Sequence, residues 1–206
     1  IDFSPSMFEG IIGPIFAQQI QYVDIGEGLG TSGTGGSPRG GLYATGQIRY
    51  VTNNNGNGSI WGNIISQERI AQIVLNNGSI INSQIAVWET LQMSSLFNTD
   101  ERVVPDVGAD TSTNPRYEIV NIEINGGGGV IGTLFAAADF GNLTINGGFG
   151  LIASSILSTG DGRINKIIAD GYGIRGTVIG GGASVTEVNA RGNGSQVNPA
   201  SFGRDV

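Results

Sequence analysis

The side chains best suited to chemistry are acids that stand just ahead of short apolar segments in this 206-residue chain. Glu68, Asp139 and Asp161 lie two, one and three residues before such segments, and Arg163 follows Asp161 closely. Carboxylates gathered on one face beside a cation can cleave glycosidic bonds or hold Ca²⁺. Asp139, Asp161 and Arg163 therefore make up a candidate sugar site. Glu68 falls on the same corner but several repeats away, and a solvated corner explains these residues equally well. With no cysteine, the chain has no thiol nucleophile, disulfide or thiolate metal site. With no histidine, it lacks the commonest general base and metal ligand. No catalytic residue, cofactor or metal is expected outside the candidate corner.

The remaining composition narrows the partners. Net charge is −7 and the 10 Lys and Arg are scattered, which leaves no basic patch to neutralise a phosphate backbone. Nucleic acid is therefore not an expected partner. No apolar run reaches the ~20 residues that span a bilayer. Only 13% of residues are charged, about half the usual share, so few surface helices are expected. Gly contributes 36 residues, and Asn, Ser, Thr and Gln supply the polar surface of turns and sheet faces.

These acids are positioned by a repeat. IVNIEINGGGGVIGTLF, from Ile119, is nearly rewritten as FGNLTINGGFGLIASSI from Phe140. The pattern apolar-x-x-apolar-x-apolar starts at Ile20, Ile70, Ile119, Phe140, Ile164 and Val185, with weaker copies at Ile48/Val51/Asn53 and Leu91/Ser94/Leu96. Most starts are 21–24 residues apart, the period of a solenoid. About five residues after each first segment comes a second: SIWGNI at Ser59, SIINSQI at Ser79, VIGTLF at Val130, LIASSI at Leu151 and GIRGTVI at Gly173. Period-two alternation and β-branched residues mark strands. Two short strands and their turns make one coil of a parallel β-helix. The expected fold is all-β, a single-stranded right-handed parallel β-helix (β-solenoid) of about 7–8 coils, residues 1–206 forming one domain.

Stacked coils bring like residues together. Ile20, Ile48, Ile70, Ile119, Phe140, Ile164 and Val185 should form one column of the core. Six places on from the segment starts stand Asn54, Asn76, Asn125, Asn146 and Asp170. Turn residues at a fixed offset predict a ladder of side chains ~4.8 Å apart, joined by amide hydrogen bonds. Lys166 and Glu187 share an offset in adjacent coils, which predicts a cross-strand ion pair.

ERIAQIVLNNGSI from Glu68 and GRINKIIADGYGI from Gly162 resemble the degenerate Gly-rich β-helix repeats of large exported bacterial surface proteins. The resemblance covers roughly residues 12–197. It implies a surface, matrix or appendage role outside the cell, with no assigned chemistry.

Two stretches interrupt the period. Gly26–Gly41 reads as a flexible Gly-rich loop insertion; no GK[ST] follows it, which removes a phosphate-loop reading. Trp88–Glu118 is an acidic insertion and the best candidate for a lateral contact. GIIGPIFA at Gly10 matches GVIGTLFA at Gly129, so the repeat opens on the second half of a coil and closes on a first half near Val185–Val197. Complementary ends predict association of copies end to end, or a place for the segment within a longer solenoid, unless Ile1–Glu9 and Asn198–Val206 fold over them. The sequence thus points to a non-enzymatic structural subunit of an extracellular or cell-surface filament, sheath or surface layer, its partner itself. The alternative is a module that binds or cleaves surface polysaccharide.

Overall fold

The computed structural model describes residues 11, 13–26, 28–29, 31–32, 38–54, 58–87, 118–158, 162–182 and 184–191, and among these there is no helix. The first segments of the repeat form a seven-stranded parallel sheet in chain order: Val23–Asp24, Ile48–Thr52, Arg69–Asn76, Glu118–Asn125, Phe140–Asn146, Arg163–Ala169 and Ser184–Ala190. The second segments form an 11-stranded sheet. Its rungs include Pro14–Ala17, Gly41–Ala44, Asn63–Ser66, Ile80–Val87, Gly129–Ala136, Ser155–Ser158 and Val178–Gly180. Each interior strand of the first sheet pairs in parallel with strands of the preceding and following coils, and the terminal strands Val23–Asp24 and Ser184–Ala190 pair on one side. The chain is therefore a β-solenoid of about 6 turns. Half a coil flanks these turns at either end: Pro14–Ala17 below and Ser184–Ala190 above.

The period of the sequence becomes vertical register. Ile48, Ile70, Ile119, Phe140, Ile164 and Val185 pair successively, and an isolated bridge joins Ile20 to Ile48. All but Val185, on the last rung, are buried. The second sheet contributes a facing column, Leu42, Ile64, Ile85, Leu134, Ile156 and Ile179, also buried. Each such side chain stabilises the fold by about 1.5–3 kcal/mol relative to exposure. A smaller cluster of Tyr43, Ile65, Ala86 and Phe135 lies on the opposite face of the second sheet.

The second segment bends at a repeated corner. Asn82, Ala153 and Gly176 occupy the left-handed region, with φ of 50°, 46° and 57°. The next residue in each case carries a buried hydroxyl: Ser83, Ser154 and Thr177. Ser83 Oγ lies 2.9 Å from the Ile60 carbonyl of the coil below, and Ser154 Oγ lies 2.8 Å from that of Val130. The hydroxyls satisfy carbonyls that the bend would otherwise leave without a partner. The coil of Val130 passes the same corner with Gly132 alone, one residue fewer, hence the register shift between Ile81 and Ser83.

Two expectations change. Ile70 pairs directly with Ile119, so no rung separates those coils; the copy expected at Leu91/Ser94/Leu96 lies outside the described residues. The insertion at Gly26–Gly41 is shorter than composition suggested. Gly28–Leu29 and Gly41 belong to the second sheet, and Thr31–Ser32 pairs antiparallel with Pro38–Arg39. Glycine composition signals turns and close approaches as readily as loose chain.

At one turn, successive backbones touch. A Cβ on Gly128 would collide with the Gly78 carbonyl oxygen, and one on Gly78 with that of Gly58. Gly127 beside them faces open space. Gly128→Ala should therefore destabilise the fold by about 1–3 kcal/mol, while Gly127→Ala should stay within about 0.5 kcal/mol of the parent. Urea unfolding of the two variants checks this contrast.

Candidate functional site

The corner acids stand where the first sheet begins, and register decides their neighbours. Arg69 pairs with Glu118. Glu118 precedes Ile119 as Asp139 precedes Phe140, and Ile119 pairs with Phe140. Arg163 holds the same place before Ile164, which pairs with Phe140. The resulting column reads Arg69, Glu118, Asp139, Arg163, two acids between two cations. Glu68 is not part of it. Its N–H turns back to Ser66 Oγ at 3.2 Å, and Arg69 takes the column position. Asp161 lies outside the described residues.

Both acids are engaged. Asp139 Oδ1 accepts the backbone N–H of Arg163 at 2.9 Å. Glu118 Oε1 lies 2.8 Å from Arg69 Nε, an ion pair in which the N–H is not aimed well enough for a hydrogen bond. Burial pushes the Glu118 carboxyl above its ordinary value; the Arg69 charge opposes this and the Asp139 charge adds to it. Adjacent carboxylates with one raised pKa could in principle supply an acid and a base. Here both meet neighbours in the column, Glu118 the Arg69 side chain and Asp139 the Arg163 backbone N–H. Among the described residues no cluster of three or more acids could hold a metal ion.

Sequence reasoning missed Glu118 because the position closes the aperiodic acidic stretch and was counted with it. It is in fact the first residue of a strand. Only the partner strand, which skips residues 88–117, reveals its place.

The predicted amide ladder exists across three coils. Asn76, Asn125 and Asn146 pair in register. Asn146 Nδ2 donates to Asn125 Oδ1 at 2.7 Å, and Asn125 Nδ2 to Asn76 Oδ1 at 3.4 Å. The outer members differ. Asn54 Nδ2 donates to the Tyr22 hydroxyl at 2.8 Å instead. Register below Asn76 stops at Val74 and Thr52, and the buried Asn53 serves Asn76 in its place. Its Oδ1 accepts the Asn76 N–H at 2.6 Å, while its Nδ2 donates to the carbonyls of Gly58 and Asn76. At the other end pairing stops at Ile145 and Ala169, so Asp170 leaves the column and its Oδ1 has no hydrogen-bond partner.

The outward faces carry mixed ladders. Tyr22 stacks on Tyr50 with ring centroids 5.6 Å apart. Lys166 Nζ lies 3.3 Å from Glu187 Oε2, across paired positions. The column Asp24, Thr52, Val74, Glu123, Thr144, Ile168, Asn189 presents no uniform chemistry.

Among the described residues four large apolar side chains are exposed: Phe16, Tyr22, Tyr172 and Val178. All belong to the lowest or highest coils. The core is also thinnest there, since Ile15 and Ala17 below and Val185, Val188 and Ala190 above are only partly buried. Comparison with protein-family models, curated proteins and solved structures finds no match for the chain.

Two substitutions probe these groups. Asn53→Ala removes the partner of three backbone groups, one of them in a fully buried bond, whereas Asn125→Ala removes three part-buried or exposed side-chain bonds. The first should cost about 2–4 kcal/mol and the second about 1 kcal/mol by chemical denaturation. Glu118 has a pKa raised in the fold, so its ionised form is favoured more in the unfolded chain. Its contribution is therefore most favourable below the ordinary carboxylate range and is lost as pH rises through its titration. Glu118→Gln should gain Tm relative to the parent as pH increases from 4 to about 7; a constant difference would contradict the raised pKa.

Proposed function

We propose that this chain is a non-enzymatic structural subunit of an extracellular filament, sheath or surface layer, built by end-to-end stacking of β-solenoids. The observation that carries the reading is the placement of the open apolar surface. Among the described residues the middle coils cover one another, and each end carries half a coil with a sheet edge and partly exposed core residues. Open edges of this kind are templates for further pairing. A repeat that stacks within a chain uses the same contacts to stack between chains. The resemblance of ERIAQIVLNNGSI and GRINKIIADGYGI to the Gly-rich β-helix repeats of exported bacterial surface proteins supports a place outside the cell. Polysaccharide cleavage has less to work with, because Asp139 and Glu118 are already committed to Arg163 and Arg69.

Electron microscopy of the purified chain, with sedimentation over a wide concentration range, tests the reading. Filaments or sheets that lengthen with concentration are expected. A particle that stays monomeric at high concentration would sink it. Val188→Lys places a charge on the core-facing side of the terminal rung. It should disperse the assemblies while leaving the circular dichroism of the β fold intact.

A further inference from the structure

We propose that a second copy of this chain seats on the Ser184–Ala190 end, so that the two half coils close into one hybrid coil in continuous register. This rests on the end-to-end reading and adds the partner surface and its alignment.

The two ends are offset in the way a continuous solenoid requires. At the upper end the first sheet extends one rung beyond the second, finishing with Ser184–Ala190 over Arg163–Ala169. At the lower end the second sheet extends one rung further, with Pro14–Ala17 under Gly41–Ala44. Ser184–Ala190 of one copy followed by Pro14–Ala17 of the next supplies both halves of a single coil. In that arrangement the next copy's Ile20–Ile25 segment stacks on Ser184–Ala190, and its Pro14–Ala17 stacks on Val178–Gly180.

The side chains agree column by column. Register within the chain places Ile20, Val23 and Ile25 in the same columns as Val185, Val188 and Ala190. Apolar residues partly exposed at the top would thus meet buried-type residues of the next copy. In the second sheet Ile15 falls over Ile179. Phe16 belongs to the outward column Tyr43, Ile65, Ala86, Phe135, Leu157, which ends at Gly180. Around Gly180 only a Leu157 methyl lies near the Cβ position. The missing side chain leaves room for the half-exposed Phe16 ring, already stacked on Tyr43 at 5.0 Å. Pro14 brings no N–H to its strand. Backbone pairing at the junction therefore falls mainly to the first sheet, and side-chain packing to the second. Polar columns are compatible as well: Asn189 comes under Asp24, an amide beneath a carboxylate, and Glu187 under the Tyr22 hydroxyl.

Because the chain has no cysteine, engineered pairs read the register directly. Glu187→Cys with Tyr22→Cys, and separately Asn189→Cys with Asp24→Cys, place thiols on facing rungs. Facing Cα atoms would lie about 4.8 Å apart, within disulfide reach. Inside one chain the same positions are six rungs apart, about 29 Å, so no intramolecular bond can form. Mild oxidation of the full chain should give a ladder of linked dimers, trimers and longer species for both pairs. The diagonal pair Glu187→Cys with Asp24→Cys should stay unlinked. The two in-register pairs share no residue, and circular dichroism identifies a variant that does not fold. Filaments in which folded in-register pairs fail to link, in which the diagonal pair links equally well, or in which single-cysteine variants dimerise head to head would overturn the register while leaving end-to-end assembly standing. A chain that sediments only as a monomer would overturn both.

Discussion

The spacing of paired backbones governs everything else in this molecule. Parallel strands hydrogen-bonded along the solenoid axis stand about 4.8 Å apart, roughly the thickness of one side chain. A residue at any position in a coil is therefore pressed against the residue at the same position above and below. Apolar columns become a core, amides become a ladder, and glycines at the tight turn bring one backbone against the next. The same rule sets unlike or awkward neighbours together, as where Glu118 and Asp139 stack and the flanking arginines and a backbone N–H offset their repulsion.

A solenoid built this way tolerates change at its corners rather than along its rungs. Coils differ in length by a few residues, and the difference is absorbed where the second segment bends. Some coils turn with a left-handed residue followed by Ser or Thr, others with a single glycine. Both excursions also leave from corners. One separates Leu29 from Gly41, in the place Trp61 and Gly62 occupy one coil later. The other follows Val87 and returns at Glu118, with Ile70 and Ile119 still in direct register. Insertion at a bend adds chain without moving the strands it connects, so the loop-closure entropy is the main cost.

Stacking also explains why the two ends differ from the middle. An interior rung has both its sheet edges and both its apolar faces covered by neighbours of the same kind. A terminal rung has one neighbour, and its core-facing residues rise toward the surface, as Val185, Val188 and Ala190 do. The structural role proposed for the chain rests on this asymmetry, among the described residues, between a self-covering middle and partly exposed terminal rungs.

The linear sequence determined the architecture and much of the ladder content. The period of apolar residues specified which side chains face inward, because only an all-like stack can bury them, and the columns from Ile20 to Val185 and from Asn76 to Asn146 follow from offset alone. Fixed offsets could not say where register fails. That depended on which strand lies next to which, and on where pairing stops: at Thr52, so that Asn53 replaces Asn54, and at Ala169, so that Asp170 drops out. The place of Glu118 was likewise decided by tertiary structure, because its partner Arg69 is separated from it by a whole insertion. Periodicity carries information about each coil by itself, whereas hydrogen-bond partners across coils depend on the exact length of every turn between them.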